Sequence, residues 1–302
     1  MGDHRDIAQR LPAAFHLGTS SWTFPGWQGL FYRRDYANAQ HFRRHSLEEY
    51  AAHPLMRTVG IDRSYYQPIT ADELQLYAKQ LPPGFPCVLK MWQQLSTMVF
   101  PQHRRYGALA GQSNPDFLNV ARFVETIATP LRQSFLSHSA ALVIEVSRIP
   151  GPINADAFVE QLHQFLRHAP QEFHYAIELR DPRLLTTAYR QLLQHSGATH
   201  VYNFWSQMPS LKRQLEHISI PQNSKTILRL LLPPGSDYEK RRRQLEPFQH
   251  LQEPQTQMRD DVRTIANEVL AQQGQLFILV GNKSEGCAPL TVEALGAQLA
   301  QL

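Results

Sequence analysis

The sequence predicts a single TIM-like (β/α)8 barrel, and three observations carry that expectation. Eight short β-rich runs recur along the 302 residues, and helical patterns lie between them. Most of the runs are apolar at consecutive positions, as strands buried on both faces must be. Alternation of strand and helix is the signature of βαβ units, and eight of them close a barrel. A hydrophobic content of 42% with 19% charged residues supplies a sizeable core. No period of 20–50 residues repeats, which argues against a solenoid.

The strands are expected at Phe15–Thr19, Arg57–Asp62, Phe85–Lys90, Ala141–Val146, Phe173–Leu179, Thr199–Asn203, Thr226–Leu230 and Leu276–Val280. Residues 1–14 read as an N-terminal extension of one domain that runs through residue 302. Two capping-box patterns, Ser46-Leu-Glu-Glu49 and Thr70-Ala-Asp-Glu73, predict helix starts, because the hydroxyl and the carboxylate each satisfy an orphan N–H. After Asn154, the residues Phe158, Leu162, Phe165 and Leu166 fall on one helical stripe that can pack outside the barrel. Asp181-Pro182 opens the next helical segment and Gly197 closes it. The connections from Trp92 to Ala140 and from Leu231 to Gln275 exceed ordinary βα loops and predict helical insertions after strands 3 and 7.

Several classes are disfavoured. No segment approaches the ~18 uninterrupted apolar residues of a membrane span, and the N-terminus leads into no signal-peptide core, so a soluble, cytoplasmic protein is expected. Cys87 and Cys287 form no Cys-x-x-Cys pair and suggest neither a disulfide framework nor a thiolate metal site. The 14 histidines contain no His-x-His or His-Glu-x-x-His spacing, and His16, His174 and His200 fall at strand starts, away from the expected site. No transition-metal site and no cofactor are expected; a Mg²⁺ ion on Asp62, Glu145 and Glu178 is a minor alternative, since such an ion takes oxygen ligands. The formal charge of +4 and the run Glu239-Lys240-Arg241-Arg242-Arg243 allow a nucleic-acid partner, although such a run more often forms a solvated face.

In a barrel the working residues gather at the C-terminal ends of the strands. Here those ends carry Asp62, Lys90, Glu145, Glu178, Arg180, Asn203, Arg229 and Asn282, with the aromatics Trp22, Tyr65 and Tyr66 close by. Lys90, Arg180 and Arg229 could converge on an anion, a phosphate or carboxylate. Glu145 and Glu178, on adjacent strands, could share a proton and perform acid–base catalysis, with one pKa raised. Trp22, Asp62, Tyr65, Tyr66, Lys90, Arg180, Arg229 and Asn282 would then bind the substrate. Each charge has a structural reading as well, as half of a barrel-mouth ion pair. Two functions stay open: an enzyme performing hydrolysis or isomerisation on a small anionic or sugar-like substrate, and a non-catalytic barrel that binds a ligand or nucleic acid. Cys287 follows the last strand, where Lys283 would lower its pKa if the thiol were exposed.

Five blocks spread over the chain carry a family resemblance. They are Gly18-Thr-Ser-Ser-Trp22 with Trp27 and Phe31-Tyr32; Asp62-Arg-Ser-Tyr65-Tyr66-Gln-Pro68; Phe85 to Lys90; Ala176-Ile-Glu178-Leu-Arg180; and Gly281-Asn282 followed by Gly286-Cys-Ala288-Pro289. In this order they resemble the YecE-like family, known as domain of unknown function 72. The resemblance implies a TIM-like barrel and brings no established reaction. The chain departs from the family pattern at Asp62 (usually Glu), Ser64 (usually Asn) and Gly281 (usually Asn), and Ile144-Glu145-Val-Ser-Arg-Ile149-Pro150 replaces a Gln-Leu-Pro element.

Overall fold

The computed structural model describes residues 4–102 and 104–302. The eight expected strands are present: β1 (Phe15–Thr19), β2 (Val59–Ile61), β3 (Cys87–Lys90), β4 (Ser139–Val146), β5 (Tyr175–Leu179), β6 (Thr199–Phe204), β7 (Lys225–Leu230) and β8 (Gln275–Val280). All neighbours pair in parallel, in the order β1-β8-β7-β6-β5-β4-β3-β2. The ring is drawn together between β1 and the segment leading into β2, where the N–H groups of Arg57 and Thr58 donate to the Leu17 carbonyl at 2.8 and 3.3 Å. The Tyr50 hydroxyl bridges the same seam, accepting from the Thr19 N–H at 2.8 Å and donating to the Thr58 carbonyl at 3.1 Å. Gly18 makes that approach feasible, since a Cβ there would lie 2.0 Å from the Thr58 oxygen.

Side chains alternate along each strand, and the alternation divides the core in two. Leu89, Leu142, Ile144, Val146, Ile177, Leu179, Leu228, Leu230, Ile278 and Val280 belong to the large outer layer shared with the helices. Val88, Ala141, Val143, Ala176, Val201, Ile227, Phe277 and Leu279 form a separate apolar plug. Two residues further along, in the same parity, stand Lys90 after Val88, Glu145 after Val143, Glu178 after Ala176, Asn203 after Val201 and Arg229 after Ile227. The inward direction therefore changes from hydrocarbon to charge within one step of the strand period.

Most of the expected helix signals hold. Thr70 caps Ala71–Ala78 through the Glu73 N–H, Asn154 caps Ala155–His168 through the Ala157 N–H, and Gly197 ends Thr187–Ser196 at a φ of 71°. Phe158, Leu162, Phe165 and Leu166 are buried as one stripe. Asp181 caps only the short turn Pro182–Leu184, and the longer helix restarts at Thr186. Ser46 is a correction. The helix spans Ala39–Ala51 and is capped by Asn38, so Ser46 lies buried in its interior. The polar first turns hid the earlier start from an apolar-period reading. Both long connections contain helices, among them Thr129–Ser134 after β3 and Tyr238–Leu245 after β7. Among the described residues no helix is long and apolar enough to cross a membrane.

Candidate active site at the C-terminal mouth

The inward-facing charges form one connected ladder. Lys90 contacts Glu145 Oε2, and the same oxygen meets Arg180 Nη2 at 2.8 Å. Arg180 Nε and Nη2 donate to Glu178 Oε1 at 3.2 and 3.1 Å. Glu178 Oε2 lies 2.9 Å from Arg229 Nε, a charge contact without hydrogen-bond alignment. Arg229 then forks onto Asp62, Nη1 to Oδ1 at 2.9 Å and Nη2 to Oδ2 at 2.6 Å. Five strand ends are thereby joined, and breaking one rung of such a buried pair strands its partner in low dielectric.

Burial pulls the Glu178 carboxyl upward, but Arg180, Arg229 and Lys90 outweigh it and hold the pKa down at about 2. The expectation of a raised carboxyl in the Glu145/Glu178 pair is thus reversed for Glu178: three cations surround it, so ionisation is favoured. Arg180 and Arg229 are raised in turn by their carboxylates, against the opposing effect of burial. Supporting contacts fix the ladder. Ser64 Oγ donates toward the carbonyls of Ile61 and Lys90 and accepts from the Lys90 N–H, tying the ends of β2 and β3. The Lys90 ammonium lies 4.6 Å from the Tyr65 ring centre, and Trp205 stacks 3.8 Å from the Arg180 guanidinium.

Above the ladder opens a cavity of about 450 Å³. Asp62, Tyr65, Tyr66, Lys90, Glu145, Arg180 and Asn282 line it, as the sequence predicts, together with Ser20, Ser21, Thr23, Ser147, Trp205, Tyr238 and Lys283. Three predicted residues do not. Glu178 and Arg229 are fully buried beneath it, because Arg180, two residues on in the same parity as Glu178, lies across the opening. Trp22 is turned to the far side of the β1 loop, edge-on to Tyr77, and lines a neighbouring cleft. Asn203 is also buried, donating to the Leu179 carbonyl. Asn282 borders the cavity while its Oδ1 accepts from Trp27 Nε1 and the Ala288 N–H, which fixes the loop into the last helix, Ala288–Leu299.

The charge balance differs from the expected excess at the strand ends. Lys90, Arg180 and Arg229 are matched by Asp62, Glu145 and Glu178. The surplus positive charge is Lys283, a loop residue that strand-end reasoning missed; its ammonium lies 4.3 Å from the Tyr238 ring centre and, among the described residues, meets no carboxylate. Its position directly after Asn282, on the loop following β8, was the available signal. Glu145 carries both of its cations on Oε2 and leaves Oε1 without a protein hydrogen bond among the described residues. Arg180 Nη1 is likewise unengaged there. No three His, Cys, Asp or Glu side chains are grouped to hold a metal among the described residues, Asp62, Glu145 and Glu178 included. Cys287 is buried, which raises its thiol to about 11, so Lys283 does not activate it.

The helix of the basic run is held by its own contacts. Arg241 reaches the carbonyls of Lys283 and Ser284 and pairs with Glu253, while Arg242 pairs with Glu239 and Glu246.

Eight parallel strands around an apolar plug, with a charged layer and a cavity at their C-terminal ends, define a TIM-type barrel with its polar site on the face where such barrels carry function. The family model for the protein of unknown function DUF72 matches residues 16–302, and the chain belongs to that family. Among solved structures it is similar to a DUF72 family protein (EF0366) from Enterococcus faecalis V583, with a TM-score of 0.60 and 17% identity over 95% of this chain and 96% of that one. It is similar also to a DUF72 family protein (TM1631) from Thermotoga maritima MSB8, with a TM-score of 0.60 and 15% identity over 95% and 98%. No curated protein matches the chain.

Proposed function

We propose that the cavity is an enzyme active site for a small, hydroxyl-bearing substrate whose anionic group it holds, a phosphorylated sugar or a close analogue. The observation that carries this reading is the combination of an unmatched Lys283 with an unengaged Glu145 Oε1 in the lining of the same cavity. Lys283 and Arg180 Nη1 receive the anion, a point charge beside part of a planar fork. Hydroxyls of Ser20, Ser21 and Ser147 meet those of the sugar, and Tyr65 and Trp205 flank its apolar faces.

Glu145 is the group for proton transfer, since its Oε1 can take a proton from one ligand atom and return it to the next. This favours isomerisation over hydrolysis by a carboxylate pair, because Glu178 is sealed below Arg180 and Asp62 gives both oxygens to Arg229. The test is incubation with a panel of phosphorylated aldoses and ketoses in D₂O, read by NMR. Deuterium should enter a carbon-bound position with the parent protein and not with Glu145→Gln. Binding without exchange across the panel would leave a non-catalytic ligand-binding barrel as the correct reading.

A further inference from the structure

A second cleft, of about 540 Å³, adjoins the cavity and shares Ser21, Thr23 and Asp62 with it. Arg43 and Arg44, exposed neighbours on helix Ala39–Ala51, stand on its wall. Neither has an ion pair or a hydrogen bond among the described residues. Glu48, the helical i+4 partner that Arg44 would ordinarily take, is occupied by Arg34. The other basic residue of the cleft, Arg63, is tied to Glu73 and the Tyr77 hydroxyl. Trp22, 2% exposed, closes the inner end with its indole N–H buried and without an acceptor. Exposed Asp72 is the one unpaired carboxylate among the described lining residues, opposing two unpaired guanidinium groups.

We infer that the cleft is a second anion subsite, and that the substrate of the mouth carries two anionic groups, as a sugar bisphosphate does. This rests on the proposed reading of the mouth for the first group and adds the second. One group sits at Lys283 and Arg180. The hydroxylated middle crosses the Ser21, Thr23 and Asp62 saddle, and the other group meets Arg43 and Arg44. Guanidinium groups lining one cleft suit phosphate oxygens through their planar donor forks, and adjacent unpaired cations raise the local concentration of a multiply charged anion.

Calorimetric titration with fructose 6-phosphate and fructose 1,6-bisphosphate tests this in the parent protein, Arg43→Gln/Arg44→Gln and Lys283→Ala. The bisphosphate should bind the parent at least about tenfold more tightly than the monophosphate, consistent with one added charge-assisted contact of about 1.4 kcal/mol. That advantage should vanish in the double variant while monophosphate binding stays unchanged. Both arginines are exposed and unpaired, so the variant folds, as circular dichroism would verify. Equal binding of the two sugars by the parent, or an undiminished advantage in the double variant, overturns the subsite and leaves the mouth reading intact. Bisphosphate binding that needs Arg43 and Arg44 but ignores Lys283 sustains the subsite and overturns the mouth reading. No binding of either sugar overturns both.

Discussion

The two mouths of the barrel solve the same electrostatic problem in opposite ways. At the C-terminal mouth, charge is retained and neutralised by partners, from Lys90 through Glu145, Arg180, Glu178 and Arg229 to Asp62. At the N-terminal end the histidines lose their charge and the cations rest on backbone carbonyls, Arg57 on those of Leu11, Pro12 and Phe15. His174 is pulled to about 4 by burial, as is His200 on the outer, helix-covered face of β6, and His16 is lowered by the same cause. His200 keeps a hydrogen bond with the Tyr189 hydroxyl at 3.0 Å, and Lys225 donates to the Ala140 carbonyl at 2.9 Å. The apolar plug separates the two ends. A mouth built of ion pairs holds fixed dipoles ready for a ligand, whereas the neutral rings and carbonyl-bound cations of the opposite end contribute packing.

The comparison breaks most visibly at Arg229. Replacing it with Met removes the partner of both Asp62 and buried Glu178, and should cost about 3–5 kcal/mol in urea unfolding. A loss under 1 kcal/mol would mean that the ladder adds little to stability.

Acid should separate the two mouths. His200 is neutral when folded, with a pKa near 4 against 6.5 in the unfolded chain. Its contribution is complete above pH ~6.5 and falls away toward pH 4, by about 3 kcal/mol from a shift of that size. Glu178, held at about 2 against an ordinary 4.5, contributes above pH ~4.5 and loses that contribution toward pH 2. Denaturation across this range should therefore decline in two stages, with His200→Gln reducing the first, to which His174 also contributes. A curve flat from pH 7 to 4.5 would contradict the buried neutral ring.

Arg180→Ala should cost about 2 kcal/mol, since Glu178 keeps Arg229 beside it, and should abolish measurable binding of fructose 6-phosphate. A larger stability loss with binding retained would make Arg180 a structural residue alone. Lys283→Ala should have the smallest effect on stability, within about 0.5 kcal/mol as for other unpaired surface changes.

The strands were legible because their apolar runs and their spacing report burial on both faces, and the parity from Val88 to Lys90 and from Val143 to Glu145 carries straight into the site. Parity says which way a side chain points but not how deep it ends. That is why Glu178 and Arg229 were expected in the cavity and lie beneath it, and why the direction of the Glu178 shift was missed: adjacent Arg180 is joined there by Arg229 and Lys90 from strands distant in sequence. Trp22 lies beyond the end of β1, where the strand period no longer governs. Trp205 was not singled out, and Lys283 was considered only beside Cys287, for the related reason that they sit on loops.

The central claim is that the mouth binds an anion through its one surplus charge. Calorimetric titration of fructose 6-phosphate into the parent protein and Lys283→Ala, at equal thermal stability, addresses it most directly. One site per chain is expected, weakened by added salt, with at least about tenfold lower affinity in the variant, equivalent to about 1.4 kcal/mol. Equal affinity in the two proteins would contradict it.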